Sequence, residues 1–276
     1  MIGGTNVRWT ILPLLLLSTL VLSVTVAVSI RPLELIVKEI LPEGHNVLCI
    51  MGKNSNPHLY QLKTSDLELL NRADLIVLVG FEQWANKVQS MFKDKVLMFS
   101  EDVFEKDFEE DEHLWLDPVN VLVFSHMLML SLSRLEPNLA EKLEANWVDF
   151  SKRLLERLWL WKEKLAPVKN RIIVEVHPAL THLAKRFNLG EIFALETGHE
   201  VGLTTKKLAE LTNLVKKGLV KHLFVDEHVE SAAALKLAEQ LNLQPVTIDL
   251  MGWDVGDYIQ LMDSLVEKLA VLVETE

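Results

Sequence analysis

Residues 138–165 read NLAEKLEANWVDFSKRLLERLWLWKEKL, a stretch without glycine or proline that lies between Pro137 and Pro167. Its apolar positions recur every three or four residues, as one face of a helix requires. They are Leu139, Leu143, Trp147, Phe150, Leu154, Leu158 and Trp161. The spacing predicts a helix of about 26 residues, which is about 39 Å long at 1.5 Å per residue. We expect a helix of that length to extend across more than one domain.

Strand-like and helical segments alternate on both sides of this helix. Before it, the predicted strands are 24–30, 47–51, 75–79 and 96–99, and the predicted helices are 32–40, 65–72, 82–92 and 118–135. After it, the predicted strands are 172–176, 192–195, 222–225 and 245–248, and the predicted helices are 179–187, 205–217, 231–242 and 257–273. Such alternation is typical of α/β architecture. The sequence therefore predicts two α/β lobes, 24–137 and 169–276, joined by one long linking helix over 138–168.

Charge and cysteine content exclude several classes of protein. The chain has 28 Lys+Arg against 39 Asp+Glu, a net charge of −11, so it lacks the basic surface that nucleic acids require. Cations are better-matched ligands. The single cysteine, Cys49, excludes internal disulfides and zinc or iron–sulfur clusters that need several thiolates. Because Cys49 lies in the apolar run 47–51, we predict that it is a small buried hydrophobic residue.

The N-terminus has the pattern of an export signal. Arg8 precedes an apolar run centred on Leu14–Leu17, and no acidic residue occurs before Glu34. In one interpretation, residues 1–23 are a signal peptide or an uncleaved anchor, and a strand begins at Val24. In the other, the uncharged run 9–30 is a membrane helix. The β-branched composition of residues 24–28 favours the first. Both place the remainder outside the cytoplasm, in the periplasm or at the cell surface.

Three of the nine histidines end predicted strands or lie in the loops after them, where open α/β sheets bind ligands. They are His58, His113 and His177, and Asp249 ends another strand. Neutral imidazole is a preferred ligand of Zn²⁺, and three imidazoles need one oxygen donor to complete a tetrahedron. The pattern therefore predicts a transition-metal site.

At these residues the chain resembles the metal-receptor proteins of ABC importers for zinc and manganese, the cluster A-I solute-binding proteins. The resemblance extends from about Val24 to the C-terminus. It rests on the segments Ser29–Ile40, Asn56-Pro57-His58-Leu59-Tyr60, Ala73–Gly80, His113-Leu114-Trp115-Leu116-Asp117-Pro118, His177-Pro178-Ala179 and Asp249-Leu250-Met251-Gly252. Each segment is weak evidence alone, but their order and spacing over some 250 residues are specific.

This resemblance implies that His58, His113, His177 and Asp249 bind one metal ion in the cleft between the lobes, two ligands from each lobe. It implies a rigid clamp and no catalytic step. The metal would be Zn²⁺, with Mn²⁺ as the alternative, carried as a transported ligand by a monomer at the membrane. The partners would be an ABC permease and its ATPase. Three imidazoles with one carboxylate favour Zn²⁺, because Mn²⁺ prefers more oxygen ligands.

Several alternatives remain open at this stage. The same ligands could hold a catalytic zinc in a hydrolase, although the chain has no His-Glu-x-x-His motif. An adhesin-like surface protein that binds metal is another. Glu196, His199 and Glu200 are reserve donors, and Asp226 also ends a strand. The acidic run Glu101–Glu112 is either a solvated charge run or a weak electrostatic funnel for cations. We predict structural roles for His45, His126 and His222.

Overall fold

The first lobe is built on a four-stranded parallel sheet. The computed structural model describes residues 23–53, 55–101, 103, 111–196, 203–227 and 231–274. The strands are β1 (Thr25–Val28), β2 (Asn46–Cys49), β3 (Leu75–Leu78) and β4 (Val96–Met98), in the order β2-β1-β3-β4. In the register of the sheet, Ala27 lies opposite Leu48 on one side and Ile76 on the other. The helices are α1 (Arg31–Ile40), α2 (Thr64–Arg72), α3 (Ala85–Phe92) and α4 (Pro118–Leu135).

The second lobe repeats this plan. Its strands are β5 (Ile173–Glu175), β6 (Ile192–Ala194), β7 (His222–Asp226) and β8 (Gln244–Ile248), all parallel, in the order β6-β5-β7-β8. Its helices are α6 (Thr181–Phe187), α7 (Thr205–Lys216), α8 (Ser231–Leu241) and α9 (Tyr258–Glu274). In both lobes the carboxyl ends of the strands are the places where ligand-bearing loops begin.

The linking helix α5 comprises Ala140–Leu165, 26 residues, as the sequence predicts. It buries a stripe of apolar side chains against α1, α4 and α9. The buried members are Leu143, Phe150, Leu154, Trp161 and Leu165. The indole Nε1 of Trp161 donates to Asp263 Oδ1 of α9 at 2.7 Å. The helix thus joins the first lobe to the last helix of the second. The prediction of two α/β lobes and one long helix is confirmed.

The larger hydrophobic core is continuous between the lobes. It includes β1 and β3 of the first lobe, the buried stripe of α5, and Phe224 and Ile248 of the second sheet. A smaller core, with Val174, Leu211 and Leu223 among its members, lies within the second lobe. The two sheets therefore share apolar packing.

Of the two interpretations of the N-terminus, the favoured one, in which a strand begins near Val24, is confirmed. The membrane helix continuing through Ile30 is wrong, because Thr25–Val28 is a strand paired on both sides with β2 and β3. Residues 1–22 lie outside the described part of the chain. Cys49 is half-buried rather than buried, and burial raises the pKa of its thiol to about 12. One described helix, α4, is long and apolar enough to cross a membrane by length and composition, but it packs on α1 and α5.

Candidate metal site

The three predicted histidines converge between the lobes. His58 lies in the loop after β2, His113 lies immediately before a short 3₁₀ helix (Leu114–Leu116), and His177 follows β5. One ring nitrogen from each lies within 4.8 Å of those of the other two. The ring centroids are 5.6 Å apart for His58–His113, 4.7 Å for His58–His177 and 5.2 Å for His113–His177. Chain segments about 120 residues apart thus supply one compact set of donors.

Carboxylates fix the two first-lobe rings. Nδ1 of His113 lies 2.8 Å from Asp111 Oδ1, and Nδ1 of His58 lies 3.1 Å from Glu112 Oε2. An ionised carboxylate only accepts hydrogen bonds, so each imidazole donates from Nδ1, and Nε2 is its second ring nitrogen. This arrangement is the one that orients metal-binding histidines in proteins.

For His177, burial determines the protonation state of the ring. Its Nε2 is buried and has no hydrogen-bond partner among the described residues. Burial, reinforced by the neighbouring His113 and His58, lowers the pKa of His177 to about 3. The ring is therefore neutral at physiological pH, which is the state that binds a metal ion.

Two carboxyl groups, those of Asp111 and Glu175, are buried, and each lies two residues before one of the histidines. Burial and the nearby charge of Asp111 raise the pKa of Glu175 to about 8, although its Oε2 accepts the amides of Ala179 and Leu180. For Asp111, burial would raise the pKa, but the hydrogen bond and charge of His113 outweigh it, and the pKa is lowered. At neutral pH, Asp111 is charged and Glu175 is largely protonated.

A cavity of about 140 Å³ opens next to His58 and His113. Both lobes line it. Its apolar walls include Ile30, Phe81 and Trp115 from the first lobe and Leu250 and Met251 from the second; its carboxylates are Glu82, Glu112 and Asp226. The cavity adjoins the imidazoles of His58 and His113 and is lined by three carboxylates, which favours cations over anions.

Asp249 is not brought into the histidine group. Its Oδ1 accepts the amides of Met251 and Gly252 at 2.8 Å, and its Oδ2 accepts that of Trp253 at 2.7 Å. Gly252 has a φ of +70°, and a Cβ added there would lie 2.8 Å from Leu35 Cδ1, so the predicted glycine turn is present and tight. The carboxyl groups that cluster with Asp249 are Glu227 and Asp254, at the surface.

The other candidate residues are dispersed. Asp226 lines the cavity, and burial raises the pKa of Glu196, whereas His199 and Glu200 lie outside the described residues. The three histidines predicted to be structural lie away from the site. Nδ1 of His45 accepts the amide of Val24, His126 packs on Trp147 with centroids 4.6 Å apart, and His222 is buried in β7.

Sequence reasoning missed the roles of Asp111 and Glu112. Both were grouped with the acidic run Glu101–Glu112, most of which, 102 and 104–110, lies outside the described residues. The signal was their position immediately before His113, since metal-binding imidazoles usually donate to a nearby carboxylate.

Two parallel-sheet lobes about a long helix, with three imidazoles converging between them, define a metal-binding protein of the solute-binding class. The family described as zinc-uptake complex component A, periplasmic (ZnuA), matches residues 26–271, and the chain belongs to it. It is a cluster A-I metal-binding receptor of an ABC importer and not an enzyme.

Two relatives and one solved structure are similar to this chain. A predicted metal-binding protein of Thermotoga maritima is 26% identical over 280 residues, covering 95% of this chain and 98% of its own. The zinc-binding protein AdcA of Streptococcus pyogenes serotype M1 is 23% identical over 256 residues, covering 82% of this chain. The present chain spans about half, 50%, of AdcA. A crystal structure of ZnuA superimposes with a TM-score of 0.80 at 21% identity, covering 91% of this chain and 99% of that one.

Proposed function

We propose that this protein captures Zn²⁺ in preference to Mn²⁺ outside the cytoplasm and delivers it to an ABC permease driven by an ATPase. The observation that carries the proposal is the set formed by His58, His113 and His177, whose ring nitrogens lie within 4.8 Å of one another. Three nitrogen ligands favour Zn²⁺, since Mn²⁺ stands lowest in the affinity order and prefers oxygen. The zinc-binding relative AdcA is consistent with this preference.

The fourth donor to the metal is a separate part of the proposal. No carboxylate of the described residues joins the histidine group. Asp249, the donor expected from the sequence, accepts three backbone amides of its own turn. We propose the three histidines as the ligand core and water as the fourth donor, with Asp249 as the alternative.

Metal analysis of the purified protein tests the core proposal. We expect one Zn²⁺ per chain, and Mn²⁺ in excess should not displace it. His113→Ala and His177→Ala should each weaken Zn²⁺ binding by more than the 10- to 100-fold typical of residues that only orient a ligand. The matched control is His126→Ala, which removes an imidazole between α4 and α5 and should leave the affinity unchanged. Tighter binding of Mn²⁺ than of Zn²⁺, or equal losses in all three variants, would refute the proposal.

Delivery and location are further parts of the proposal. We expect the N-terminal segment 1–23 to direct export, as a cleaved signal or a retained anchor, and the receptor to act as a monomer. Its net charge of −11 disfavours nucleic acid as a partner, because the phosphate backbone is also negatively charged. Genes for an ABC permease and an ATPase should lie beside its own, and loss of the receptor should reduce zinc uptake at low external zinc.

A further inference from the structure

Asp111 contacts both lobes through a single buried carboxylate. Its Oδ1 accepts from the backbone amide of His113 at 2.9 Å and from the ring Nδ1 of His113 at 2.8 Å. Its Oδ2 accepts from the amides of Thr181 at 3.0 Å and His182 at 3.3 Å, at the start of α6 in the second lobe. The side chain is only 1% exposed, so water does not replace these partners.

The backbone of Asp111 is held in the same place. Its carbonyl oxygen lies 2.8 Å from Nε2 of His182 and can accept that hydrogen bond. The second-lobe amides that donate to Asp111 begin at Thr181, four residues after His177 in the chain. The residue that orients one metal ligand is therefore attached to the segment that follows another.

We propose that Asp111 is a positioning residue for the metal: it fixes the Nδ1–H form and the ring orientation of His113, and it sets His113 at the correct distance from the second lobe. The inference rests on the proposed function as a metal receptor. The histidine contributes the donor atom, and Asp111 determines where that atom points.

Only a carboxylate satisfies both sides of this junction. All four groups that face its two oxygens are N–H donors, two from His113 and two from α6. An asparagine has one oxygen and one NH₂ group, so in either orientation its NH₂ meets two donors and leaves buried groups without an acceptor. Asp111→Asn is therefore a nearly isosteric change with a specific consequence.

Glu112 provides the matched comparison. It is the next residue, has the same charge and also accepts from a histidine of the group, but its side chain is 35% exposed and that of His58 is 31% exposed. Water can replace Glu112 as an acceptor, so its removal should have a smaller effect. If negative charge near the metal were what mattered, the two variants would behave alike.

The first test measures Zn²⁺ affinity at pH 7.5. We expect Asp111→Asn to bind Zn²⁺ about 10- to 100-fold more weakly than the parent, and Glu112→Gln to lose less than about 5-fold. The control is Asp117→Asn. It removes a charge that pairs with Arg186 across the lobes and leaves the histidines untouched, so it distinguishes the effect of orienting His113 from the effect of weakening the contact between the lobes. We expect it to lower the melting temperature while its Zn²⁺ affinity falls less than that of Asp111→Asn.

The second test needs no metal. In the metal-free parent protein, ¹⁵N NMR of the imidazoles should show His113 in the Nδ1–H form, and in Asp111→Asn it should show a mixture. A mixture in the parent would overturn the proposal even if the variant did not fold. So would an affinity for Zn²⁺ in folded Asp111→Asn within threefold of the parent. If the parent bound no Zn²⁺ while His113 kept its Nδ1–H form, the receptor function would fail and the orienting role would stand.

Discussion

His177 and Glu175 lie two residues apart at the end of β5, and burial keeps both side chains neutral. The folded pKa of His177, about 3, lies below its ordinary value of 6.5, so the folded state loses stability as the pH falls from 6.5 towards 3. The folded pKa of Glu175, about 8, lies above its ordinary value of 4.5, so stability is lost as the pH rises from 4.5 towards 8. The two effects oppose each other between pH 4.5 and 6.5.

Glu175→Gln should therefore stabilise the metal-free protein at high pH only. Gln keeps an oxygen for the amides of Ala179 and Leu180 but cannot ionise. At pH 4.5 the parent and variant should unfold at similar urea concentrations, and at pH 8 the variant should be more stable by on the order of 2–4 kcal/mol. The control Glu156→Gln, on the exposed side of α5, should change stability by less than about 0.5 kcal/mol at both pH values. An equal effect of Glu175→Gln at both pH values would contradict the burial argument.

Asp249→Ala tests whether this carboxylate supports a turn or binds the metal. Removing an acceptor of three amides should destabilise the metal-free protein by about 1–3 kcal/mol. Zn²⁺ affinity should fall less than in His113→Ala. The measurements are urea unfolding without metal and zinc competition with a chelator. A loss of affinity of about 100-fold with unchanged metal-free stability would identify Asp249 as the fourth ligand.

These residues show what sequence can and cannot predict about the site. The convergence of His58, His113 and His177 was predictable because parallel strands end at one edge of a sheet, where the loops after them lie close together. The same reasoning placed Asp249 at the end of β8, but the direction of its carboxylate depends on which amides the turn leaves without acceptors. Asp111 was missed for a related reason. An acidic run looks solvated, and only the packing of α6 onto residue 111 shows that this member is buried.

At the scale of elements, the segment 111–118 attaches the first lobe to the second. Besides Asp111, the indole Nε1 of Trp115 donates to Leu250 O at 2.9 Å, and Tyr258 donates to Trp115 O at 2.7 Å. Arg186 of α6 forms two 2.7 Å bonds with the carboxylate of Asp117, which also caps α4 through the amide of Val119. One short stretch thus carries one of the three converging histidines and the contacts that fix it to the other lobe.

Arg186→Ala should weaken this attachment. The side chain of Asp117 is 5% exposed, so the variant leaves a buried carboxylate without its charged partner. Because Arg186 itself is 28% exposed, the cost is reduced by solvent and should be about 2–3 kcal/mol in urea unfolding. Lys38→Ala, which breaks a surface pair with Glu34, should cost less than about 1 kcal/mol. Equal costs in the two variants would show that the contact between lobes contributes no more than a surface pair.

The helices and strands were the most predictable part of the molecule, and the differences have local causes. The predicted helix 82–92 begins instead at Ala85, because the carboxylate of Glu82 accepts the amides of Val79 and Gly80 and closes a turn there. α5 was predictable over its whole length because its apolar spacing is regular and no turn residue interrupts it. The continuity of the core was not, since periodicity identifies a buried face without identifying what covers it.

At the scale of the whole molecule, the shared core determines how metal binding affects stability. The larger core joins both sheets through α5 and α9, so the metal-free protein should be folded and should melt in one cooperative transition. Zn²⁺ then stabilises the protein because it binds only the folded state. The gain in free energy of unfolding is about 2.7 kcal/mol when free Zn²⁺ is 100 times its dissociation constant.

Calorimetry should show a melting temperature that rises with Zn²⁺, while the far-UV circular dichroism spectrum at 25 °C stays the same. In His177→Ala the rise should be lost at the same Zn²⁺ concentrations, and in His126→Ala it should be kept. A metal-free protein without secondary structure, or two separate melting transitions assignable to the lobes, would show that the cleft metal, and not the common core, holds the lobes together.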